Sequence, residues 1–320
     1  MRKDNIYKST SIILIVLSIF SYFFGFYLDE SSTAAGSIDG DFKLIWNNML
    51  IFLNNDLTSS INHPDYLDSR APTAYIFHKI FNPFAGTEIG FRKSVFFIST
   101  LLPLLFYVCL KKKFKDTDNL LLILLSSTIL LSPYFRTSAY WGLGENYSII
   151  FLLLTFLSLS NLQNVNSKYK FKEYIKISNI IFLSCLCFYF DQKLIIIPLI
   201  CFLKIIFSQQ LLKIKIFSTF LYFIMALPYV YLIIVWGSLI PTHAAIARKV
   251  GTELFFDQIG YASTIIAFYI LPLLLFKKDN FVASIKNISI KRENYLPIVF
   301  FVFYFIYLFF FFNFDEQFLG

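Results

Sequence analysis

The chain has 320 residues, of which 57% are hydrophobic, 20% aromatic and only 15% charged, with a formal net charge of +8. A soluble domain carries about 25% charged residues, so this chain lacks the polar surface of a water-exposed globule and is expected to be an integral membrane protein. Cys109, Cys185, Cys187 and Cys201 all fall inside apolar runs without CxxC or Cys/His spacing, which excludes a loop disulfide framework and a sequence-readable zinc motif.

Apolar stretches near the ~20 residues that cross a ~30 Å hydrocarbon core number about nine. In chain order they are 9–28, 94–110, 119–135, 147–160, 177–191, 194–208, 216–236, 258–276 and 295–312. The first has a longer apolar core than a secretory leader, and the small residues after it form no clean A-x-A site, so it reads as a retained span. The pair flanking Asp191-Gln192-Lys193 is short, and 177–208 reads either as a hairpin of two thin spans or as one bent segment broken near Pro198. The sequence stops directly after the ninth stretch with no closing charge cluster, which suggests a truncated C-terminus.

Charge sets the orientation. With Arg2, Lys3 and Lys8 inside and the spans alternating, 19 of the 28 Lys and Arg and 6 of the 20 Asp and Glu lie inside, which gives +13 inside and −5 outside. That is the positive-inside pattern, N-terminus in and C-terminus out after nine spans. The basic excess is thereby a topology signal, and no nucleic acid is needed to explain it.

The first outer loop, 29–93, is by far the longest and carries two amphipathic stretches. Phe42, Ile45, Trp46, Met49, Phe52 and Leu53 recur at helical spacing behind Asp41, a natural N-cap, and suit a helix lying in the membrane interface. A second helix is expected to start near Pro72, to carry Tyr75, Ile76, Phe77, Ile80 and Phe81, and to end before Asn82-Pro83. The wealth of Phe and Tyr elsewhere reads as lipid-facing bulk.

Polar groups that can do chemistry collect on the same outer side: His63, His78 and His243, with Arg70, Arg136, Glu145, Asp191, Lys193, Arg248 and Asp257. Ionisable groups at membrane depth cost at least ~2.5 kcal/mol near the bilayer centre, so they normally face a cavity or a partner. A convergent outward cavity is the economical expectation. The bland alternatives stand beside it: Asp39 or Asp41 as a helix cap, Arg136 and Glu145 as an interface ion pair, Asp191 and Lys193 as a solvated turn, and Arg248-Lys249 as a loop charge pair. The histidines have no HxxH or HExxH spacing.

One span, a long outer loop with an acidic pair and two interfacial helices, and then many spans resembles the GT-C superfamily of membrane glycosyltransferases. Asp39-Gly40-Asp41 is similar to that family's acidic motif, with Asp-x-Asp in place of adjacent acids. The segment from Asp65 to Tyr75 looks like its His/Pro/Tyr segment, with Arg70 where many members have His, and the stretch from Arg136 to Glu145 resembles its polar outer turn. The resemblance implies an all-α, polytopic transmembrane bundle in a bacterial plasma membrane with its site facing outside. It also implies a polyprenyl-phosphate-linked sugar as donor and a glycan, lipid or protein as acceptor. No firm cofactor follows, and a divalent metal stays open.

If it holds, Asp41 or Asp39 takes the proton of the acceptor hydroxyl during an inverting transfer. Arg136, Lys193 and Arg248 or Lys249 are the outer cations for the leaving phosphate, and Glu145, Asp191, Arg70 and His78 complete the set of binding residues. A transporter or flippase of lipid-linked sugars would share the spans, although no inverted repeat of broken spans is visible. An oligosaccharide polymerase or ligase usually places its large loop late in the chain.

Overall fold

The computed structural model describes residues 2–31, 38–160, 170–208, 210–248, 260, 263 and 295–310, and every regular element among them is helical. The chain divides into Met1–Val250 and Gly251–Gly320. The second unit contributes one described long helix, Tyr295–Phe310, and Arg248 closes the last helix of the first unit.

In the first unit α1 (Arg2–Tyr27) is followed by an irregular turn, Ile38–Phe42, then α2 (Lys43–Asn54), α3 (Leu57–Ile61), α4 (Thr73–Phe81), α5 (Glu88–Ser99) and α6 (Leu101–Lys113). Next come α7 (Asn119–Ser127) with a 3₁₀ turn to Leu131, α8 (Pro133–Trp141), α9 (Glu145–Ser160), α10 (Lys170–Phe190), α11 (Ile196–Ile206), α12 (Leu212–Trp236) and α13 (Thr242–Arg248). Tyr295–Phe310 is α14.

Among the described residues, helix length gives four or five candidate spans and not the nine expected. Long and apolar enough to cross a membrane are Ile6–Tyr27, the α5–α6 run Glu88–Lys113, Phe171–Phe190 and Leu212–Trp236. A fifth forms only if Asn119–Leu131 and Pro133–Trp141, bent by 63° at Ser132, count as one broken span. Hydropathy overcounts because it sees apolar content and not where the backbone breaks. The 11 residues of α11, with described residues on both sides, reach only about 16 Å against a core of ~30 Å. The choice left open for 177–208 resolves into one full-length helix, a 3₁₀ step at Gln192–Leu194, and the short α11. The expected span at 258–276 lies outside the described residues apart from Gly260 and Ser263.

Helix ends sort to two sides of the first unit. At one side Lys112 donates to Leu157 O and Tyr174 stacks edge-on to Phe217, close to the basic ends of α6, α10 and α12. At the other, Arg92 meets Asp29, Arg136 meets Glu30, Gln192 donates to Tyr229 and the Trp236 indole donates to Ile61 O. The 38–87 stretch lies on this second side.

One of its two main helices differs from an interfacial helix in one respect. The apolar face of α2 is buried in protein, with Met49 and Phe52 fully enclosed and Phe52 stacked on Tyr75 of α4 at 5.4 Å. Much of the aromatic wealth is likewise core and not lipid-facing. Tyr22, Phe96, Phe135 and Tyr140 form one cluster, in which the Tyr140 hydroxyl donates to Tyr22 O and the Tyr22 hydroxyl to Phe96 O. Each such ring pair adds roughly 0.5–1.5 kcal/mol beyond its buried area.

Candidate functional site

Four separated stretches deliver polar side chains to one cavity of about 580 Å³ on the loop side. Asp41, Arg70, Glu145, Asp191 and Lys193 line it, together with Ser132, Thr137, Ser138, Asn146 and Ser148. Leu102, Ile129, Leu143, Ile149 and Leu194 give it an apolar wall.

Asp41 arrives on the irregular turn Ile38–Phe42, just ahead of α2. The cap position of α2 falls at Phe42, whose side chain has no acceptor to offer, and Gly40, at φ −95° and ψ −106°, kinks the backbone just before it. The kink sets Asp41 into the turn ahead of the helix. Asp39, on the same turn, is exposed and does not line the cavity.

Arg70 is presented by an Asx turn. Asp68 Oδ1 accepts from Arg70 N at 3.0 Å, Asp68 Oδ2 accepts from the Tyr75 hydroxyl at 2.6 Å, and the Tyr66 hydroxyl donates to Arg70 O. Asn48 of α2 accepts from Leu67 N, tying the loop to the helix beneath it. The side chain then meets Glu145 Oε1 at 2.8 Å. Burial opposes the charge of this guanidinium, but the carboxylates of Asp68, Glu145 and Asp191 outweigh it and hold Arg70 above its ordinary range. Burial, followed by the Asp68 charge, pushes Tyr75 well up, so its hydroxyl keeps its proton and donates it.

Glu145 is the first residue of α9, placed by an elbow the sequence spells out. Ser132 caps α8, Pro133 occupies its first turn and Gly142 ends it in the left-handed region at φ 75°. The hydroxyl of Ser148 donates to Glu145 O and that of Ser138 to Glu145 Oε2 at 3.4 Å. Asn146 is fixed by Ser99 and Phe135 O. Asp191 interrupts the helical run after α10, capping the 3₁₀ step by accepting from Lys193 N at 3.1 Å, and so turns Lys193 toward the cavity. The lining carries three carboxylates against two cations, a formal −1.

Other expected site residues lie elsewhere. Arg136 is a clamp between elements: its guanidinium bonds Glu30 Oε2 at 2.7 Å, Ser21 Oγ at 2.6 Å and Leu130 O at 2.7 Å, and it does not line the cavity. His78 is buried beneath the site, between Asn82 Nδ2 at 2.9 Å from Nδ1 and the Tyr147 hydroxyl at 3.2 Å from Nε2. Asn82 donating to Nδ1 places the ring proton on Nε2. Burial pushes His78 down to about 4, so it is neutral at physiological pH. The side chain of Arg248, and Lys249 and Asp257, lie outside the described residues. Asp68, which organises Arg70, was not singled out by sequence, although an Asp two residues ahead of an Arg in a loop is the Asx-turn pattern. Among the described residues no group of three or more His, Cys, Asp or Glu is arranged to hold a metal ion. Comparison with protein families, with characterised proteins and with solved structures finds no match for this chain.

Proposed function

We propose that the chain is a membrane glycosyltransferase that moves a sugar from a polyprenyl-phosphate-linked donor to an acceptor hydroxyl on the outer face of the membrane, in cell-envelope glycan or glycolipid assembly. The observation that carries this reading is the convergence of Asp41, Arg70, Glu145, Asp191 and Lys193 on one cavity that also has an apolar wall. An amphiphilic donor needs that combination: carboxylates and hydroxyls for a sugar, cations for a phosphate, and apolar surface for a hydrocarbon tail.

In this mechanism Asp41 accepts the proton of the acceptor hydroxyl as its oxygen attacks the anomeric carbon. The carbon–oxygen bond to phosphate breaks on the opposite side and its electron pair leaves with the lipid phosphate, so the anomeric configuration inverts. Lys193 faces the developing phosphate charge, and Arg70, held by Asp68 and Glu145, orients the sugar or the phosphate. Of the two loop acids, only Asp41 is within the lining, so it is assigned the base.

Reconstitution with a panel of polyprenyl-phosphate sugars tests the assignment. Asp41→Asn is expected to lower transfer about 10²- to 10⁴-fold, the usual contribution of general-base assistance. Asp39→Asn should leave it within about threefold of wild type. Transfer that persists in Asp41→Asn and in the Asp39/Asp41 double variant removes the catalytic role.

A further inference from the structure

A second cleft, of about 530 Å³, lies between the turn after α4 and the outward face of α5 and shares no lining residue with the polar cavity. Phe77, Phe81, Phe84 and Phe97 form its walls, with Ile98 and Pro83, and Lys93 is its charged group. Its size falls in the roughly 300–1,000 Å³ range of sites that enclose a small ligand.

The cleft is held open by its own hydrogen bonds. Asn82 donates to Ser94 Oγ at 2.7 Å and accepts from Phe84 N at 3.0 Å, and Ser94 in turn donates to Phe91 O. The turn presses so closely on α5 that a Cβ at Gly90 would collide with Phe84 O. Both polar side chains of the lining other than Lys93 are thus consumed internally. Lys93 is exposed, and among the described residues no ion pair engages it.

Depth in the bilayer follows from helix geometry. The α5–α6 run of 26 residues is about 39 Å long, longer than a ~30 Å core, so its first turn stands in the headgroup layer. Lys93 is five residues into the run, about 8 Å along it, and Phe97 and Ile98 lie one turn deeper. With the excess of about 9 Å shared between the two ends, Lys93 lies close to the core boundary, from where a lysine stem reaches up to the lipid phosphates above an apolar slot at the level of acyl chains. Phe81 and Phe84 stay 70% and 66% exposed, as suits rings that border lipid and not protein.

We propose that this cleft is a binding site for an anionic phospholipid of the surrounding bilayer, with its phosphate on Lys93 and an acyl chain along Phe77, Phe97 and Ile98. The proposal rests on the membrane reading alone and is independent of the transferase assignment.

The purified full chain in detergent, titrated with phosphatidylglycerol or with phosphatidylcholine of the same acyl chains, tests it through the lipid retained per protein by native mass spectrometry. Wild type and Lys93→Arg should retain one phosphatidylglycerol, Lys93→Glu should bind it at least tenfold more weakly, and phosphatidylcholine should bind wild type at least tenfold more weakly. Lys93 is exposed, so thermal unfolding of the variants should match wild type. Equal retention of the two lipids by wild type overturns the proposal without reference to any variant, and so does unchanged retention by Lys93→Glu. One-for-one displacement of phosphatidylglycerol by polyprenyl phosphate in wild type, absent in Lys93→Glu, also overturns it and assigns the cleft to the donor.

Discussion

Removing His78 should flatten the acid sensitivity of the fold. The ring is 1% exposed, lies edge-on to Phe91 at 4.7 Å, and is bonded at both nitrogens to neutral partners, Asn82 and Tyr147. Asp68, Arg70 and Tyr75 share a small enclosed space with it, but Asp68 is committed to Tyr75 and Arg70 N, and Arg70 opposes a second positive charge. Burial therefore dominates, and its value of about 4 stands below the ordinary 6.5. A depressed histidine leaves the folded state neutral while the unfolded chain takes up a proton. Stability is thus fully present above pH 6.5 and is lost as pH falls toward 4. The fall from 6.5 to about 4 corresponds to about 3 kcal/mol. At roughly 2–4 °C per kcal/mol for a large chain, that is about 6–12 °C in Tm. Thermal unfolding of wild type and His78→Gln in the same detergent, from pH 7 to pH 4, measures it. Equal pH slopes for the two would refute the argument that burial governs this site.

Three other substitutions probe the frame around the cavity. Gly142→Ala should cost about 2–4 kcal/mol in thermal or denaturant unfolding, because φ is 75° there and a Cβ would stand 2.5 Å from Phe91 Cε1. Arg136→Met should cost about 2 kcal/mol, through the orphaned Leu130 O and Ser21 more than through the half-exposed Glu30, and should leave donor KM within about threefold. A shift in KM without loss of stability would instead place Arg136 at the substrate. Trp236→Phe loses the indole bond to Ile61 O at 3.2 Å together with the fused five-membered ring of a buried side chain, so at least about 1 kcal/mol is expected, and no change in unfolding would deny that bond a role.

What the sequence discloses about this fold is mostly local. The face Ile45, Trp46, Met49 and Phe52 is readable from spacing, as are the Pro72 start of α4 and the Ser132-Pro133 to Gly142 frame of α8. Spacing does not say what covers a face, and protein covers the face of α2 where an interface was expected. Nor does hydropathy register a break: Ile196–Ile206 is as apolar as any span, and only the Asp191–Lys193 step shows that it begins afresh and is too short. Asp41 illustrates a finer failure. An acid ahead of an apolar run ordinarily caps the helix, yet the cap position falls one residue later, at Phe42, and Asp41 stands on the kinked turn before it as part of the cavity lining.

The cations show why the candidate site was only partly legible. Arg70, Arg92 and Arg136 are the same residue type on the same side, and each meets a carboxylate far away in sequence: Glu145, Asp29 and Glu30. Sequence spacing holds no trace of such pairs, and they decide what each arginine can do. Arg136 and Arg92 are absorbed into joints between elements, the latter also 4.4 Å over the Trp141 ring. Arg70 reaches the cavity already engaged by Glu145, and no ion pair among the described residues engages Lys193. A lining with a formal −1 offers an anionic donor no net electrostatic welcome. In the proposed reaction the affinity for donor must therefore come chiefly from its sugar and hydrocarbon, leaving Lys193 to act where phosphate charge grows as the glycosidic bond breaks. An interaction that strengthens with charge development lowers the barrier more than it tightens binding, and this is the division of labour a transferase requires.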